Sequence, residues 1–267
     1  MSTSRLHSLL ILTLLTLTQC SDGAINIFTL EDDKQLGLQS KQQIESNPQQ
    51  FPIVPRSANP KAYAYLDGLR DQILATGTVK HKNDFLWELH IVKRDDVVNA
   101  FCTPGGYIYV YTGLIKYLDN ASSLAGVMGH EMAHADRRHS TDALTQQYGI
   151  STLLQVVLGN DPGTLANMAA SLVSLKFSRA HETEADEYSV KYLCNTKFQE
   201  NGAANFFIKM LADTNSSQPP QFLSTHPSHE NRVKDITATA AKANCAKDNK
   251  LSTSSDLDEY KNLKLSL

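Results

Sequence analysis

The chain has 267 residues, 41% of them hydrophobic, a length that suits one ordinary domain with tails. Its 25 basic and 28 acidic side chains leave a formal net charge of -3. This balance gives no broad basic field, so nucleic acid is excluded as an expected partner.

The first twenty residues have the pattern of an export signal. Arg5 precedes an apolar run over residues 9–17, and Cys20 ends the segment. The run is shorter than the roughly 20 residues that a membrane-spanning helix needs, which disfavours a permanent transmembrane anchor. The sequence therefore predicts a signal peptide over residues 1–20.

The residues that end at Cys20 resemble a bacterial lipobox, the site at which an exported chain is cleaved and lipidated. Gln19 departs from that pattern, in which a small residue is usual, so a plain cleaved signal is the alternative. Lipidation of Cys20 would attach the protein to a membrane, and Ser21 after it is typical of outer-membrane sorting. The expected location is the bacterial periplasm, as an outer-membrane lipoprotein.

Three cysteines remain if Cys20 carries a lipid, and the expected compartment permits disulfides. They are Cys102, Cys194 and Cys245. Pairing of Cys194 with Cys245 is favoured, because Cys102 lies in a strand pattern. The alternative is three buried thiols.

Residues 21–55 are predicted to be a polar N-terminal segment and linker. A short helical pattern begins near Glu31 and is broken by prolines from Pro48 onward. Residues 56–245 form the predicted domain, which opens on a helix over 60–76.

Aromatic and β-branched residues predict strands over 85–92, 97–102 and 107–111. Pro104 and the two glycines after it supply turn chemistry, so 97–111 is predicted to be a hairpin. A small antiparallel sheet therefore precedes the helical part of the domain.

Helical spacing returns after the sheet and separates into several segments. The predicted helices cover residues 122–139, 150–158, 165–177, 178–194, 203–211 and 230–243. Residues 246–267 are polar and low in large apolar groups, which predicts a mostly disordered tail. The fold class expected from this order is α+β.

The predicted helix over 122–139 contains His130, Glu131 and His134 in the HExxH arrangement. Residues four apart lie on one face of a helix, so both imidazoles can bind one Zn²⁺. Glu131 lies to the side, where it can take a proton from a metal-bound water during attack on a peptide carbonyl. The apolar stretch before His130 predicts burial, which disfavours two merely solvated histidines. The sequence thus predicts two metal ligands and a catalytic base.

A catalytic zinc site needs a third protein ligand and keeps one position open for water. The candidates are His139, His181, Glu182 and Glu184. His139 is rejected, because five residues after His134 it is turned away from the ligand face. Glu182 is favoured over Glu184 and His181, because Asp186 lies one turn after it and could accept the free N–H of a ligating histidine.

The HExxH motif, followed by Ser178-Arg179 and by Glu182 with Ala185-Asp186, resembles the HtpX-like zinc metallopeptidases. These are relatives of the CAAX prenyl endopeptidases and belong to the gluzincins, whose third zinc ligand is a glutamate. The similarity covers residues 60–240. Unlike the membrane-embedded members, this chain has no spanning pattern, and it is most similar to the small periplasmic and lipoprotein members.

The resemblance implies a mainly helical, zincin-like metallopeptidase domain with one Zn²⁺ per chain and the small sheet beside the HExxH helix. In such enzymes an edge strand pairs with extended substrate, and Asn99 and Ala100 are the expected positions; a purely structural hairpin is the alternative. The resemblance also places His226 near the zinc, either as an oxyanion donor or as a ligand that holds the enzyme latent. Arg232 could serve the oxyanion instead, or pair with an acidic neighbour.

Together these features predict a zinc-dependent endopeptidase that hydrolyses misfolded or stalled envelope proteins, with zinc-bound water activated by Glu131. The expected partners are protein or peptide substrates, a membrane reached through the lipid on Cys20, and unidentified envelope proteins. One alternative is a zinc-dependent, chaperone-like module with little or latent proteolysis, against which the intact Glu131 argues. Another is a structural zinc site, which usually uses a cysteine-rich set of four ligands.

Overall fold

The computed structural model describes residues 26–213, 221–227, 231–248 and 250–267. The predicted signal peptide and Cys20 lie outside these ranges. The described chain is mainly helical with a small sheet, which confirms the expected α+β class. Its helices are α1 (Leu30–Glu45), α2 (Pro60–Ala75), α3 (Thr112–Tyr117), α4 (Ala121–Asp136), α5 (His139–Tyr148), α6 (Ile150–Val157), α7 (Pro162–Ser171), α8 (Arg179–Leu193), α9 (Gly202–Ala212), α10 (Phe222–Thr225), α11 (Arg232–Lys242) and α12 (Thr253–Leu265). Its strands are β1 (Glu88–Val92), β2 (Ala100–Thr103) and β3 (Tyr107–Tyr111), and a short 3₁₀ helix covers Leu172–Ser174.

The three strands form a sheet in the order β1, β3, β2. β2 and β3 make the predicted antiparallel hairpin, whose turn contains Gly105 and Gly106 with φ of 77° and 85°, a region that favours glycine. β1 pairs with β3 in parallel. The sheet is therefore mixed rather than antiparallel, because the loop after β1 carries the chain to the far edge, and β3 returns between the first two strands.

Helix α4 lies at the centre of the molecule, and all of its residues are buried. It packs against α8, α9 and β2. Gly126 and Gly202 allow a close approach of α4 and α9: a Cβ on Gly126 would collide with the backbone of Ala203, and a Cβ on Gly202 with that of Ser122. The helix that carries the HExxH motif is therefore fixed by its neighbours on several sides.

The single helix predicted over 122–139 is divided into α4 and α5. Arg138 between them adopts a left-handed backbone conformation, with φ of 62° and ψ of 30°. Its guanidinium donates hydrogen bonds to Asp33 and to the carbonyl oxygen of Phe28. These contacts hold a conformation that costs a residue with a Cβ about 1 kcal/mol or more.

Helix α1 belongs to the folded body. Thr29 and Asp32 cap it reciprocally, each side chain accepting a hydrogen bond from the other's backbone N–H. Leu36 packs in an apolar cluster with residues of α5, α6 and α7, and Ile44 packs in another with residues of the sheet. The short helical pattern expected near Glu31 is therefore present as α1, and this helix packs on the domain.

The C-terminal segment forms α12, so the prediction of a disordered tail over 246–267 is wrong. Tyr260 and Leu263 are buried in the main apolar core, and the Tyr260 hydroxyl donates to the carbonyl oxygen of Ile115 at 2.6 Å. Asp256 accepts a hydrogen bond from the backbone N–H of Ser122 at 3.0 Å. Composition alone misses this helix, because one narrow face carries all of its buried contacts.

Cys194 and Cys245 form a disulfide, which confirms the favoured pairing, and Cys102 is a buried free thiol. The bond joins the C-terminal end of α8 to the chain after α11. None of the helices in the described ranges is long and apolar enough to cross a membrane.

Candidate metal centre

Two histidines and a glutamate of α4 lie in one buried space. Asn120 caps the helix by accepting a hydrogen bond from the N–H of Ser123, and packing on several sides fixes the rotation of the helix. The Nε2 atoms of His130 and His134 lie 3.0 Å apart. Both rings and Glu131 are at most 2% exposed. The four-residue spacing thus brings both imidazoles to one point.

Helix α8 brings a carboxylate to the same point. Ser178 caps α8 by accepting a hydrogen bond from the N–H of His181. The two carboxylate oxygens of Glu182 lie 3.5 Å from Nε2 of His130 and 3.5 Å from Nε2 of His134. Glu182 is fully buried. A set of two imidazoles and one carboxylate therefore converges without contribution from solvent-exposed groups.

His226 enters the same cluster from the end of the short helix α10. Its Nδ1 lies 3.0 Å from a carboxylate oxygen of Glu182 and 3.4 Å from Nε2 of His130. Its Nε2 lies 3.5 Å from Oε1 of Glu131. The ring is 1% exposed. The structure therefore places His226 in the same buried cluster as His130, His134 and Glu182.

Asp186 and Arg232 support the cluster from the side of His130. The Nδ1 of His130 donates to Asp186 at 2.9 Å, the contact that made Glu182 the favoured ligand in the sequence. Arg232 donates to Asp186 at 2.7 and 2.9 Å and to Glu182 at 2.8 Å. Arg232 is 1% exposed, so its guanidinium is a buried cation paired with two acidic neighbours. Of its two predicted roles, the structure shows the pairing.

Burial and neighbouring charges set the protonation of the site. Burial raises the pKa of Glu131, although nearby histidines oppose the shift. Burial lowers the pKa of His134 well below its ordinary value. Burial would also lower the pKa of His130, but hydrogen bonds to Asp186 and Glu182 raise it to about 9. Burial would raise the pKa of Glu182, but the surrounding histidines hold it well below its usual range. The carboxylate of Glu182 is thus strongly ionised, and that of Glu131 takes up a proton more readily.

The donor set fits a metal ion. One ligand atom from each of His130, His134, Glu182 and His226 lies within 4.8 Å of all the others. Neighbouring donors are separated by 3.0 to 3.5 Å. Metal–ligand bonds of about 2.0–2.1 Å in a tetrahedron give edges of about 3.4 Å. The cluster could therefore bind a metal ion with little rearrangement.

The other ligand candidates from the sequence lie behind the cluster. Nδ1 of His139 is 3.0 Å from Nδ1 of His134, on the side of the ring opposite the convergent Nε2 atoms. The ring of His139 stacks on that of His181, and its Nε2 lies 3.0 Å from Glu184. Of the four candidates, Glu182 is the one whose side chain lies beside Nε2 of both His130 and His134.

Two aromatic residues of the site were not identified from the sequence. The ring of Phe177 stacks on His134 with centroids 3.9 Å apart, and the ring of Phe222 stacks on His226 at 4.2 Å. Phe177 also donates its backbone N–H to the carbonyl oxygen of Thr225 at 3.2 Å. Phe177 directly precedes Ser178 and Arg179 of the motif. Its ring contacts residues of other segments, and such contacts produce no pattern in the local sequence.

β2 lies at an edge of the sheet beside α4. The N–H of Tyr111 donates to the carbonyl oxygen of Asn99 at 3.2 Å, so by alternation the backbone groups of Ala100 point away from β3. Both predicted pairing residues are buried, at 2% and 0% exposure. The N–H of Phe222 donates to the carbonyl oxygen of Val98 at 3.3 Å. The segment that carries His226 therefore contacts this same edge.

Comparisons with known proteins agree with this arrangement. The chain is 32% identical over 176 residues to the mitochondrial metalloendopeptidase OMA1 of Schizosaccharomyces pombe, which covers 64% of this chain and 51% of that protein. It is 33% identical over 174 residues to the beta-barrel assembly-enhancing protease of Escherichia coli K12, covering 59% of this chain and 35% of that protein. The protein named mitochondrial metalloendopeptidase OMA1 from Arabidopsis thaliana is 33% identical over 162 residues, or 60% of this chain and 33% of that protein.

The chain spans about half or less of the length of these curated relatives. The model of Peptidase family M48 matches residues 60–240, which contain α4, α8 and the whole metal cluster. This confirms the resemblance found in the motifs. The chain belongs to Peptidase family M48.

Proposed function

We propose that this protein is a zinc-dependent endopeptidase. The observation that carries the proposal is the position of Glu131, whose buried Oε1 accepts no hydrogen bond from the described residues. This oxygen lies 3.5 Å from Nε2 of His226, a member of the same cluster as His130, His134 and Glu182. A buried carboxylate oxygen that accepts no hydrogen bond is costly unless it has a catalytic role or a ligand. Beside a metal site, that role is proton transfer.

Zinc suits the donor set better than the other common metals. Two imidazoles and one carboxylate in a tetrahedral arrangement are typical of catalytic zinc sites, whereas Mg²⁺ and Ca²⁺ prefer oxygen ligands in larger shells. In the proposal His130, His134 and Glu182 hold one Zn²⁺ per chain. When bound, zinc polarises a peptide carbonyl and acidifies water.

The residues of the chain divide the remaining tasks. Glu131 takes a proton from the attacking water and passes it to the leaving amine. Asp186 fixes the tautomer of His130, so that its Nε2 is the free ligand atom. Arg232 holds Asp186 and Glu182 in place and offsets their negative charge.

His226 is proposed to hold the enzyme latent. With His226 the cluster has four protein donors, which would leave a tetrahedral ion without a position for water. The α10 segment that carries His226 also contacts the β2 edge through Phe222 and Val98. Movement of α10 would free a metal position and the edge strand together. An oxyanion-donor role for His226 is the alternative, and both roles need its ring close to the metal position.

The β2 edge is proposed to bind substrate as an added strand. The outward backbone groups of Ala100 would pair with an extended peptide, and Asn99 would flank it. Such pairing depends on main-chain groups and places few demands on side chains. The substrates proposed are therefore unfolded or stalled polypeptides rather than one folded target.

We further infer that the protein acts in the bacterial envelope, attached to the outer membrane by a lipid on Cys20. The relative in E. coli is named a beta-barrel assembly-enhancing protease, which supports an envelope substrate. The partner proteins there are unidentified. Substitution of Cys20 by Ser should release the protein from the membrane fraction into the soluble periplasmic fraction, and an unchanged membrane fraction would contradict lipid attachment.

The chemistry is tested by replacing Glu131 with Gln in the chain without residues 1–20. We expect cleavage of fluorescein-labelled casein to fall by about 10³-fold while one zinc per chain is kept, because only the base is lost. The exposed Glu187, changed to Gln, is the matched control and should keep full activity. Equal cleavage by the wild type and the Glu131→Gln variant would contradict the proposed role of Glu131. Little cleavage by either protein, also when both carry His226→Ala, would favour a chaperone-like module.

The ligand assignment is tested by metal content after dialysis. Glu182→Ala should lose zinc, because a third of the proposed ligand set is removed. Glu184→Ala should keep one zinc per chain when protein and metal are mixed in equal amounts, since the carboxylate of Glu184 lies behind His134. The reverse result would show that the assignment is wrong.

A further inference from the structure

A chain of hydrogen bonds begins on the rear of His134, the side opposite the metal cluster. Nδ1 of His134 is 3.0 Å from Nδ1 of His139, and Nε2 of His139 is 3.0 Å from Oε2 of Glu184. Arg137 then donates to Oε1 of Glu184 at 2.8 Å. Four side chains from α4, α5 and α8 and the turn between the first two therefore form one continuous line.

The directions of these hydrogen bonds follow from the donors that each group possesses. Glu184 accepts at both carboxylate oxygens, so Nε2 of His139 must donate to it. A histidine that binds a metal through Nε2 carries its proton on Nδ1, so Nδ1 of His134 must donate to His139. Nδ1 of His139 is then the acceptor. With these assignments, one proton lies between His134 and His139, and one lies between His139 and Glu184.

Two further contacts hold the ring of His139 in this orientation. It stacks on the ring of His181 with centroids 4.5 Å apart and an interplanar angle of 15°. His181 is itself anchored by a hydrogen bond to Asp142 at 2.7 Å. His139 and His181 are 2% and 3% exposed, so water does not compete effectively for these groups.

We propose that His139 is a positioning residue for the metal site, which accepts the Nδ1 proton of His134 and is fixed in the accepting tautomer by Glu184. The proposal rests on the proposed role of His134 as a metal ligand. It gives the second ligand histidine a support that parallels the Asp186 contact of His130. The acceptor on His139 is a neutral imidazole nitrogen, whereas Asp186 accepts with a negatively charged carboxylate, so the two ligand histidines would differ in electron donation to the metal.

The proposal is tested with two replacements of His139 in the metal-free chain. Gln can both accept from His134 and donate to Glu184, whereas Leu can do neither. We expect His139→Leu to weaken zinc binding 10- to 100-fold in competition with a chromophoric chelator, and His139→Gln to stay within about threefold of the wild type. The exposed Gln147 of α5, changed to Leu, is the matched control and should bind zinc as the wild type does.

A spectroscopic measurement separates positioning from loss of fold. The visible absorption of bound Co²⁺ reports ligand geometry, and it should shift for His139→Leu and be restored for His139→Gln. The partly exposed Glu184 tolerates truncation more easily, so Glu184→Ala should give a smaller weakening of zinc binding with the same direction of shift. Near-ultraviolet circular dichroism of each metal-free variant checks that the core is intact.

The outcomes distinguish this inference from the proposed function. If His134→Ala loses zinc while His139→Leu binds it like the wild type with an unchanged Co²⁺ spectrum, the inference alone is overturned. If His139→Gln is as weak as His139→Leu, ring shape rather than hydrogen bonding matters, and the inference is again overturned. If His134→Ala keeps zinc, the metal site itself is wrong and the inference fails with it.

Discussion

Arg232 shows how single side chains stabilise the centre. Its guanidinium lies between Asp186 and Glu182 and over the ring of Phe207, 4.2 Å from the ring centroid. Removal of a buried partner leaves an uncompensated charge, which costs about 3–5 kcal/mol. The acidic pair on α8 therefore depends on a residue of α11 for its stability, as well as on any bound metal.

The role of His226 is decided by the sign of one change in activity. If His226 blocks the metal, His226→Ala should raise casein cleavage several-fold, because a position for water opens. If His226 donates to the oxyanion, the same change should lower cleavage about 10²- to 10³-fold. Our proposal expects the increase. Ser224→Ala, on the exposed side of the same short helix, is the control and should leave cleavage unchanged.

His90 makes stability depend on pH at a place away from the metal centre. It is buried against Tyr109, with Glu88 at 3.2 Å, and Lys41 pairs with that glutamate. Burial lowers the pKa of His90 from 6.5 to about 4, against the opposing effect of Glu88. The unfolded chain therefore takes up a proton first as the pH falls. Stability should decline between about pH 6.5 and pH 4, by on the order of 3 kcal/mol at most.

The measurement for His90 is urea unfolding at pH values from 7 to 4. His90→Phe keeps the ring stack but cannot titrate, so its free energy of unfolding should fall less steeply than that of the wild type over this range. Parallel curves for the two proteins would contradict the assignment of this pH dependence to His90.

The residues of the candidate metal cluster that lie on α4 and α8 were the easiest to identify from the sequence. His130 and His134 are related by helix geometry, and the choice of Glu182 followed from Asp186 one turn away, so both inferences used local spacing. His139 was rejected as a ligand for the same reason, and it does lie off the ligand face. Its contact with Glu184 joins separate helices, and local spacing contains no information on such contacts.

At the scale of elements, backbone packing of α4 explains where two glycines lie. A helix buried on all faces must admit its neighbours closely, and side chains at Gly126 or Gly202 would separate α4 from α9. Periodicity predicted both helices but gave no reason for either glycine. The parallel pairing of β1 with β3 was also not predicted, because residue patterns identify strands but do not specify which strands pair or in which direction.

Substitution of Gly126 by Ala should destabilise the protein by about 3 kcal/mol, because backbone rather than a movable side chain meets the new methyl group. Gly68, inside α2, is the matched control: a Cβ there would meet nothing within 4 Å. Gly68→Ala should stabilise the protein by about 0.5–1 kcal/mol through helix propensity. Chemical unfolding measures both. A similar free energy change for the two variants would argue against the close approach.

At the scale of the whole molecule, both ends of the described chain pack on the central domain. α1 contributes Leu36 to a core cluster, and α12 contributes Tyr260 to another. Composition indicated a polar segment with a short helix at one end and a disordered tail at the other, because composition averages over the faces of a helix and cannot detect a few buried positions.

The disulfide is expected to be a large single contribution to stability. Cys194 and Cys245 are separated by 51 residues, and the loop-closure model gives about 4 kcal/mol for a loop of that length. The double variant with Ser at both positions should unfold at a correspondingly lower urea concentration. Dithiothreitol should lower the midpoint of the wild type and leave the double variant unchanged. A wild-type midpoint insensitive to reductant would contradict the prediction.

The disulfide also affects how readily the separate segments of the metal cluster come together. The covalent loop from Cys194 to Cys245 contains His226 and Arg232, and its first cysteine ends the helix that carries Glu182. Closing the loop raises the effective concentration of both side chains at α8, since their search volume becomes that of a tethered segment. Oxidation and completion of the metal cluster are therefore thermodynamically linked: each makes the other more favourable, although they share no atom.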